Sequence, residues 1–183
     1  DVFVRDLVAG TTTLVSVGAI STNLSAFLGG SESPQITPDG RYVVFCSTAT
    51  NLVPDVTTAG EVYVRDILAG ITTCVSTNAH AFYPASTVVS CNACISADGN
   101  FVAYETCTNR PSQNVARGTV FRYNRATGAT NIIHVNASVP LIPFETIHTL
   151  DMTPDGRFIA FLANVGDASG RTNAIYLWDS QTG

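Results

Sequence analysis

One ten-residue phrase occurs three times in this 183-residue chain, and it constrains the fold more than any other feature. The copies are "ITPDGRYVVF" at 36–45, "ISADGNFVAY" at 95–104 and "MTPDGRFIAF" at 152–161. Each holds an Asp-Gly pair at its centre: Asp39 and Gly40, Asp98 and Gly99, Asp155 and Gly156. Because Asp bonds its own backbone and Gly accepts positive φ, each pair predicts a tight reversal between two strands. The three Asp residues are 59 and 57 positions apart, which indicates a repeat architecture.

A second phrase follows each reversal and also precedes the first one. Its copies are "DVFVRDLVAG" at 1–10, "EVYVRDILAG" at 61–70, "TVFRYNRATG" at 119–128 and "AIYLWDSQTG" at 174–183. In every copy an Asp or Asn opens a turn and Gly closes it four residues later, which is typical of a β-hairpin with a glycine bulge. Each unit therefore reads as four strands, A to D, with the Asp-Gly reversal between A and B.

Four units follow from this spacing. Residues 1–17 supply strands C and D of a first blade, 31–77 and 90–136 supply complete second and third blades, and 147–183 supply strands A to C of a last blade. The stretch 19–30 is expected to connect two units rather than to form a helix.

The strand C phrase carries bulky residues on both faces, as Val62 and Val64 alternate with Tyr63 and Arg65. A sheet with bulk on both faces is covered on both sides. Small antiparallel sheets stacked face to face are the blades of a β-propeller. We therefore predict an all-β fold of four-stranded antiparallel blades with about three repeats. Because propellers close with about 4–8 blades, the ring is expected to be open or partial. A β-sandwich is the alternative, but it does not require the 58-residue period.

The chain resembles the TolB-like, WD-repeat-like β-propellers of secreted and envelope bacterial proteins. The residues that carry the resemblance are "ITPDGRYVVFCSTATNLVPD" at 36–55, "EVYVRDILAGITTCVS" at 61–76 and "DVFVRDLVAGTTTLVS" at 1–16. The third unit departs from the pattern with "RYN" at 122–124, and 162–173 lacks "NLVP". The resemblance implies the fold and an envelope or extracellular location. It implies no single activity, since such propellers serve as binding scaffolds, envelope parts or appendages of enzymes.

The composition excludes some partners. Only 13% of residues are charged, all nine basic residues are Arg, and the net charge is −5. A nucleic-acid groove needs clustered basic residues, so nucleic acid is not expected as a partner. No apolar run reaches the roughly 18–20 residues of a membrane span. The chain opens in a strand without Met, which suggests a mature or excised product.

Five cysteines in a chain of this size favour an oxidising compartment. If strands A and B pair across the turn "ADGN", Cys91 lies near Cys107, and a cross-strand disulfide between them is predicted. Buried free thiols are the alternative. A zinc site of Cys74, His80, Cys91 and Cys94 is a third reading, disfavoured because residues three apart on a strand point to opposite faces.

No catalytic set is visible among the carboxylates and histidines. The turn aspartates are accounted for by structure, no remaining pair is spaced for acid–base work, and His134 reads as a packed residue of strand D. Asp55 and Glu61 flank a hydroxyl-rich loop and are weak candidates for calcium, with a solvated connection as the plainer reading. No cofactor is expected.

The sequence thus favours a non-enzymatic extracellular or envelope module that binds protein. The expected partners are other copies of the chain, joined by shared strands, or the rest of a longer propeller. One alternative is carbohydrate or peptide binding through the aromatic connections at 80–84 and 140–145. The other is a propeller appendage of a larger secreted enzyme.

Overall fold

The computed structural model describes residues 1–20, 30–84, 87–108, 115–140, 149–165 and 173–183. Most of the connection expected at 19–30 and of the aromatic stretch 140–145 lies outside the described residues. Apart from one short 3₁₀ helix at Thr77–Phe82, the regular secondary structure of the described residues consists of β-strands. No helix among the described residues is long and apolar enough to cross a membrane.

Thirteen strands are formed by the described residues, the number given by the repeat. They are β1 (Phe3–Asp6), β2 (Thr11–Leu14), β3 (Ser31–Ile36), β4 (Tyr42–Ser47), β5 (Glu61–Asp66), β6 (Ile71–Cys74), β7 (Val88–Ile95), β8 (Phe101–Thr108), β9 (Val115–Asn124), β10 (Thr130–Pro140), β11 (Leu150–Met152), β12 (Phe158–Asn164) and β13 (Asn173–Asp179).

The strands form small antiparallel sheets in chain order, which confirms the predicted fold class. β1 and β2 form the first blade, β3 to β6 the second, β7 to β10 the third, and β11 to β13 the last. One feature was not predicted: the long β10 reaches β12 through the pair Ala137 and Ala163, so the third and last blades share one seven-stranded sheet. The sheet of the third blade therefore continues into the last blade without a break.

Strand A lies where neighbouring blades come together. β7 contacts the first strands of both adjacent blades, β3 and β11. Backbone hydrogen bonds also cross these seams: Ser90 N donates to Gly60 O at 2.8 Å, and Ala97 N donates to Pro154 O at 2.7 Å. The blades are therefore tied to one another by backbone as well as by side chains.

The Asp-Gly reversals are built as predicted, with an addition. In the second blade Asp39 Oδ1 accepts from Arg41 N at 3.0 Å and from the hydroxyl of Thr37 at 2.5 Å, while Thr37 Oγ1 accepts from Tyr42 N. The Thr37 hydroxyl, and then the Arg41 N–H, lower the pKa of Asp39. Ser96 and Thr153 take the place of Thr37 in the other two turns.

The predicted disulfide between Cys91 and Cys107 has to be corrected, because both thiols are free and buried. A bulge at Asn92, whose φ is 48°, sets the register of β7 so that Cys91 pairs with Glu105 and Cys107 pairs with Val89. The two cysteines are therefore diagonal neighbours. Such positions lie about 7–8 Å apart, at or beyond the roughly 7 Å Cα separation that a disulfide spans.

We expect Gly99→Ala to destabilise the chain more than Gly70→Ala. Both glycines have positive φ, 72° and 69°, so each change carries a similar backbone strain of about 1 kcal/mol. A Cβ on Gly99 would lie 2.2 Å from the Tyr42 ring, whereas at Gly70 its nearest neighbour is 3.7 Å away. Overpacking of this kind adds about 1–3 kcal/mol. Urea denaturation measures the difference, and equal midpoints for the two variants would contradict the close packing.

Candidate interaction site

The two seams that join the second, third and last blades are each closed by an aromatic ring packed on a turn glycine. At the seam between the second and third blades, the Tyr42 ring lies on Gly99, at a distance that leaves no room for a Cβ. The guanidinium of Arg125 covers the same ring at 4.1 Å and donates to Gly99 O at 2.6 Å. A cation over an aromatic face is attractive, so these three residues form one lock.

An aromatic ring also packs on a turn glycine at the next seam, but there the arginine over the ring belongs to the blade of the ring rather than to the blade of the glycine. Phe101 of the third blade packs on Gly156 of the last blade, where a Cβ would lie 2.6 Å from the ring. Arg122 stacks over Phe101 at 3.6 Å and reaches the Trp178 ring of the last blade at 5.6 Å. The aromatic residue three positions after each turn aspartate therefore packs on the turn glycine of the following blade.

On strands B and C, the apolar side chains that lie on the same face of the sheet as the packed ring are buried in these seams. In the second blade they are Val44, Cys46, Val62 and Val64, which belong to one core with residues of the third blade. In the third blade the paired positions are Ala103, Glu105, Val120 and Arg122, of which the first three are fully buried. The core thus lies mainly between blades rather than within any one of them.

The corresponding face of the last blade is open. We call it the open face, and it consists of Phe158, Ala160, Leu162, Ile175 and Leu177. Ile175 is 79% exposed and Leu177 68% exposed, whereas their counterparts Val62 and Val64 in the second blade are buried, as is Val120, the counterpart of Ile175 in the third. A groove of about 290 Å³ runs here and is lined by Asp151, Met152, Thr153, Pro154, Phe158, Ala160 and Leu177.

The turn glycine of the second blade, Gly40, is uncovered. Gly40 has a φ of 74°, and a Cβ on it would meet nothing within 4 Å. The first blade has only its two outer strands among the described residues, so no aromatic ring covers Gly40. Among the described residues of the second, third and last blades, two aromatic rings thus pack on a turn glycine. The Phe158 ring packs on no turn glycine, and the turn glycine Gly40 is covered by no ring.

A buried polar network ties the third blade to the last. Glu105 Oε2 accepts from Asn92 Nδ2 at 2.6 Å and from the hydroxyl of Thr149 at 2.8 Å. Its other oxygen, Oε1, is buried without a hydrogen-bond partner in the described structure. Burial raises the pKa of Glu105 from its ordinary value of 4.5 to about 7, against the opposing effect of the two hydrogen bonds.

The five thiols are unsuited to nucleophilic chemistry. Burial raises the pKa of the thiols to about 12 at Cys46, Cys94 and Cys107, to about 11 at Cys74, and well above the ordinary value at Cys91. The reactive form of cysteine is the thiolate, so these groups remain neutral packing residues near pH 7.

Glu61, one of the two calcium candidates, has a structural role. It is buried, accepts from Thr58 Oγ1 at 2.7 Å and from the Ser76 hydroxyl, and lies 2.5 Å from His80 Nε2. Asp55, the other candidate, lies exposed on the preceding loop. Calcium binding by these two residues stays a prediction.

The residues of the zinc reading do not form a metal site in the part of the chain that the structure describes. There, no three His, Cys, Asp or Glu side chains are grouped so as to hold a metal ion. The bulge at Asn92 separates Cys91 from Cys94 on β7.

The aromatic connection at 80–84 fills a seam. Phe82 packs on Phe121 of the third blade with ring centroids 5.2 Å apart, and Tyr83 OH lies 2.7 Å from Thr119 Oγ1. These contacts hold the segment against the third blade, although Phe82 is still 48% exposed.

The other histidine of interest, His134, packs between Phe161 and Tyr176 at centroid distances of 5.2 and 5.4 Å. His148 and the stretch 141–145 lie outside the described residues.

Sequence reasoning missed one repeated contact. The arginine after the turn glycine forms a two-pronged ion pair with the aspartate that ends strand C: Arg41 with Asp66, and Arg157 with Asp179. The third blade has Asn100 and Asn124 at these two positions. The sequence therefore contains a sign of this ion pair, because both of its members are replaced by Asn in the same repeat unit.

The fold is similar to solved β-propeller structures. TolB from Acinetobacter baumannii is 16% identical, with a TM-score of 0.56 over 97% of this chain and 34% of TolB. The β-propeller domain of the Trilobed protease from Pyrococcus furiosus, described as having an open velcro topology, is 12% identical, with a TM-score of 0.51 over 84% of this chain and 40% of that domain. Oligogalacturonate lyase from Vibrio parahaemolyticus is 14% identical, with a TM-score of 0.51 over 97% and 39%.

At these identities the likeness shows the fold alone, a TolB-like β-propeller. The chain spans about a third to two fifths of the length of these structures, as expected for a partial propeller. No protein-family model matches the chain, and no curated protein matches it in sequence. The WD-repeat part of the resemblance has no support among these structures.

The network around Glu105 predicts a pH dependence of stability. A carboxyl group whose pKa is higher in the folded chain favours folding below about pH 4.5, and this stabilisation is lost as the pH rises to about 7. Glu105→Gln should therefore gain stability over the parent chain across that interval, by up to about 3 kcal/mol. Thermal denaturation at several pH values measures this.

Thr149→Val changes the same network from the side of the hydrogen-bond donor and should have the opposite effect on the pH dependence. It removes a donor to the carboxylate, so its stability should fall more steeply with pH than that of the parent chain. Parallel stability curves for the parent chain and both variants would contradict the role of Glu105.

Proposed function

We propose that this chain is a non-enzymatic structural and interaction module of an extracellular or envelope propeller, and that it assembles by sharing strands between chains. Its partner is another copy of the same chain. Among the described residues, β1 pairs with β2 alone and β13 pairs with β12 alone, so each strand has an unpaired edge. An unpaired strand edge is a template for another chain.

The open face carries this proposal. Most of its residues are the repeat equivalents of side chains that are buried at the two complete seams, among them Val62, Val64 and Val120. Covering a large aliphatic side chain contributes about 1.5–3 kcal/mol, so Phe158, Ile175 and Leu177 together favour association. Exposed contiguous apolar surface of this kind marks an interaction site.

Several features support a non-enzymatic role. The buried carboxylates Glu61 and Glu105 are held by hydroxyl and amide groups of the fold, and Glu61 with Ser76 repeats the pairing of Asp1 with Ser16 in the first blade. A motif that repeats in successive blades is explained by closure of the hairpin. Location outside the cytoplasm rests on the resemblance to envelope propellers.

A second candidate is a propeller segment of a larger secreted enzyme. It is favoured by the fraction of each neighbour that the chain covers, since solved structures of similar fold include an oligogalacturonate lyase and a protease domain. In that case a further part of the same polypeptide would cover the open face.

Sedimentation velocity of the 183-residue chain over a wide range of concentration tests the proposed function. We expect a concentration-dependent shift from monomer to a larger species, because the open face and the free strand edges are buried on association. A single monomeric species at every concentration would contradict assembly between copies and favour the second candidate.

A further inference from the structure

We propose that Arg122 is a binding site for a carboxylate of a partner polypeptide, with its guanidinium held against the aromatic rings of Phe101 and Trp178. The site lies in the seam between the third and last blades. Trp178 is on the face of β13 opposite to Leu177, so the site does not include the open face. The inference therefore goes beyond the proposed function, because it does not require assembly between copies.

An arginine stands in this seam at a position where the other repeats have an aliphatic residue. Aligning the copies of strand C places Arg122 at the position of Val4, Val64 and Leu177. Val64 is buried and, as an apolar side chain, needs no partner. The guanidinium at the same position is partly withdrawn from water, and burial lowers the pKa of Arg122. A charge that is desolvated in this way requires an anion or hydrogen-bond acceptors.

No group in the described part of the chain supplies that anion. Nε of Arg122 is buried without a hydrogen-bond partner, and no ion pair between described residues includes its guanidinium. Arg122 is an exception in this respect, because the other described arginines each donate to an acceptor. Arg5 and Arg65 donate to threonine hydroxyls, Arg41 and Arg157 to aspartates, and Arg117 and Arg125 to backbone carbonyls.

The repeat that contains Arg122 also lacks the carboxylate that ends strand C in the other repeats. Asn124 stands where the other copies have Asp6, Asp66 and Asp179. Residues two apart on a strand lie on the same face, so an aspartate at position 124 would share the face of Arg122 and could neutralise it. The third blade thus combines an unpaired cation with the loss of the nearest carboxylate, which leaves the anion to be supplied by another molecule.

Two aromatic rings orient the guanidinium for a carboxylate. Its central carbon lies 3.6 Å from the centroid of the Phe101 ring and 5.6 Å from that of Trp178, and Phe101 is itself packed on Gly156. A stacked guanidinium keeps its planar fork of N–H groups for acceptors, and this fork matches the two oxygens of a carboxylate. Both rings are only partly buried, so apolar side chains that flank an acidic residue can pack on them.

Tryptophan fluorescence tests the site directly, because Trp178 is the only tryptophan of the chain. The probe is the blocked peptide acetyl-Leu-Asp-Leu-amide, and acetyl-Leu-Asn-Leu-amide is its uncharged match, both titrated at constant ionic strength. We expect a saturable change in fluorescence, with the Asp peptide bound at least about 10-fold more tightly than the Asn peptide, because only a carboxylate pairs with the fork. Equal dissociation constants for the two peptides would overturn the proposal.

Variants of two arginines separate the site from a general effect of charge. Arg122→Leu should bind the Asp peptide at least about 10-fold more weakly, and Arg122→Lys about 5-fold more weakly, since lysine keeps the charge but lacks the planar fork. Arg125→Lys is the control: Arg125 donates to Gly99 O in the preceding seam, so the dissociation constant should stay within about 2-fold. Unchanged binding by Arg122→Leu would overturn the site.

Thermal denaturation provides a second measurement on the same proteins. Without peptide, Arg122→Leu should unfold at the same or a higher temperature than the parent chain, because an unpaired cation is removed. The Asp peptide should raise the midpoint of the parent chain but not that of Arg122→Leu. An equal rise in both proteins would place peptide binding on another surface and contradict the role of Arg122.

Acetate and inorganic phosphate identify the source of the anion. Acetate should bind more weakly than the Asp peptide, because it has no apolar flanks; acetate bound as tightly as the peptide would overturn the polypeptide partner. Phosphate bound more tightly than acetate would overturn the preference for a carboxylate. The titrations use a protein concentration at which sedimentation shows a single species, so failure of this site leaves the proposed assembly standing, and failure of the assembly leaves this site standing.

Discussion

Face-to-face packing of neighbouring blades is the constraint on which the rest of the structure depends. A four-stranded sheet of this size cannot bury both of its apolar faces alone, so each blade gains stability from the neighbours that cover it. The seams hold the largest part of the core, from Val44 and Val64 on one side to Tyr104 and Phe121 on the other. In two of the three Asp-Gly reversals, the glycine is also the surface on which the aromatic ring of the preceding blade packs.

Buried polar groups make the stability of one seam dependent on pH. Glu105 links Asn92 of the third blade to Thr149 at the start of the last blade, and one of its oxygens has no partner among the described residues. Charging a buried, partly satisfied carboxyl group is unfavourable, so this joint is most stable when Glu105 is protonated. On the other face of the third blade, the seam is closed by the Tyr42 ring packed on Gly99 and by the guanidinium of Arg125 over that ring.

The repeat made the fold predictable from sequence, whereas the interaction site was only partly so. The turn aspartates, the hairpins and the order of the strands follow from local chemistry, because Asp, Gly and alternating apolar residues act within a few positions. The prediction that Cys91 faces Cys107 failed on register. The pairing of Ile95 with Val102 next to the turn would already place Cys91 opposite Thr106, and the bulge at Asn92, which no local signal marks, moves it opposite Glu105.

The locks themselves depend on contacts between units. Nothing in the phrase around Gly99 shows that Tyr42, 57 residues earlier, would lie on it. Comparing the three copies would have helped: an aromatic residue stands three positions after each turn aspartate, and Arg41 with Asp66 changes to Asn100 with Asn124 as a pair. Bulk on both faces of strand C predicted a sheet covered on both sides, which holds for the second blade but not for the last, whose open face is uncovered.

Native-state hydrogen exchange of the dilute chain tests most directly whether seam burial, rather than strand pairing, stabilises the blades. β4 and β12 are both strand B and each is paired with a strand on both edges, but β4 is buried on both faces whereas β12 has one face only partly covered. The account predicts that β4 amides exchange only through global unfolding, while β12 amides exchange through a local opening of much lower free energy. Equal protection of β4 and β12 would contradict it.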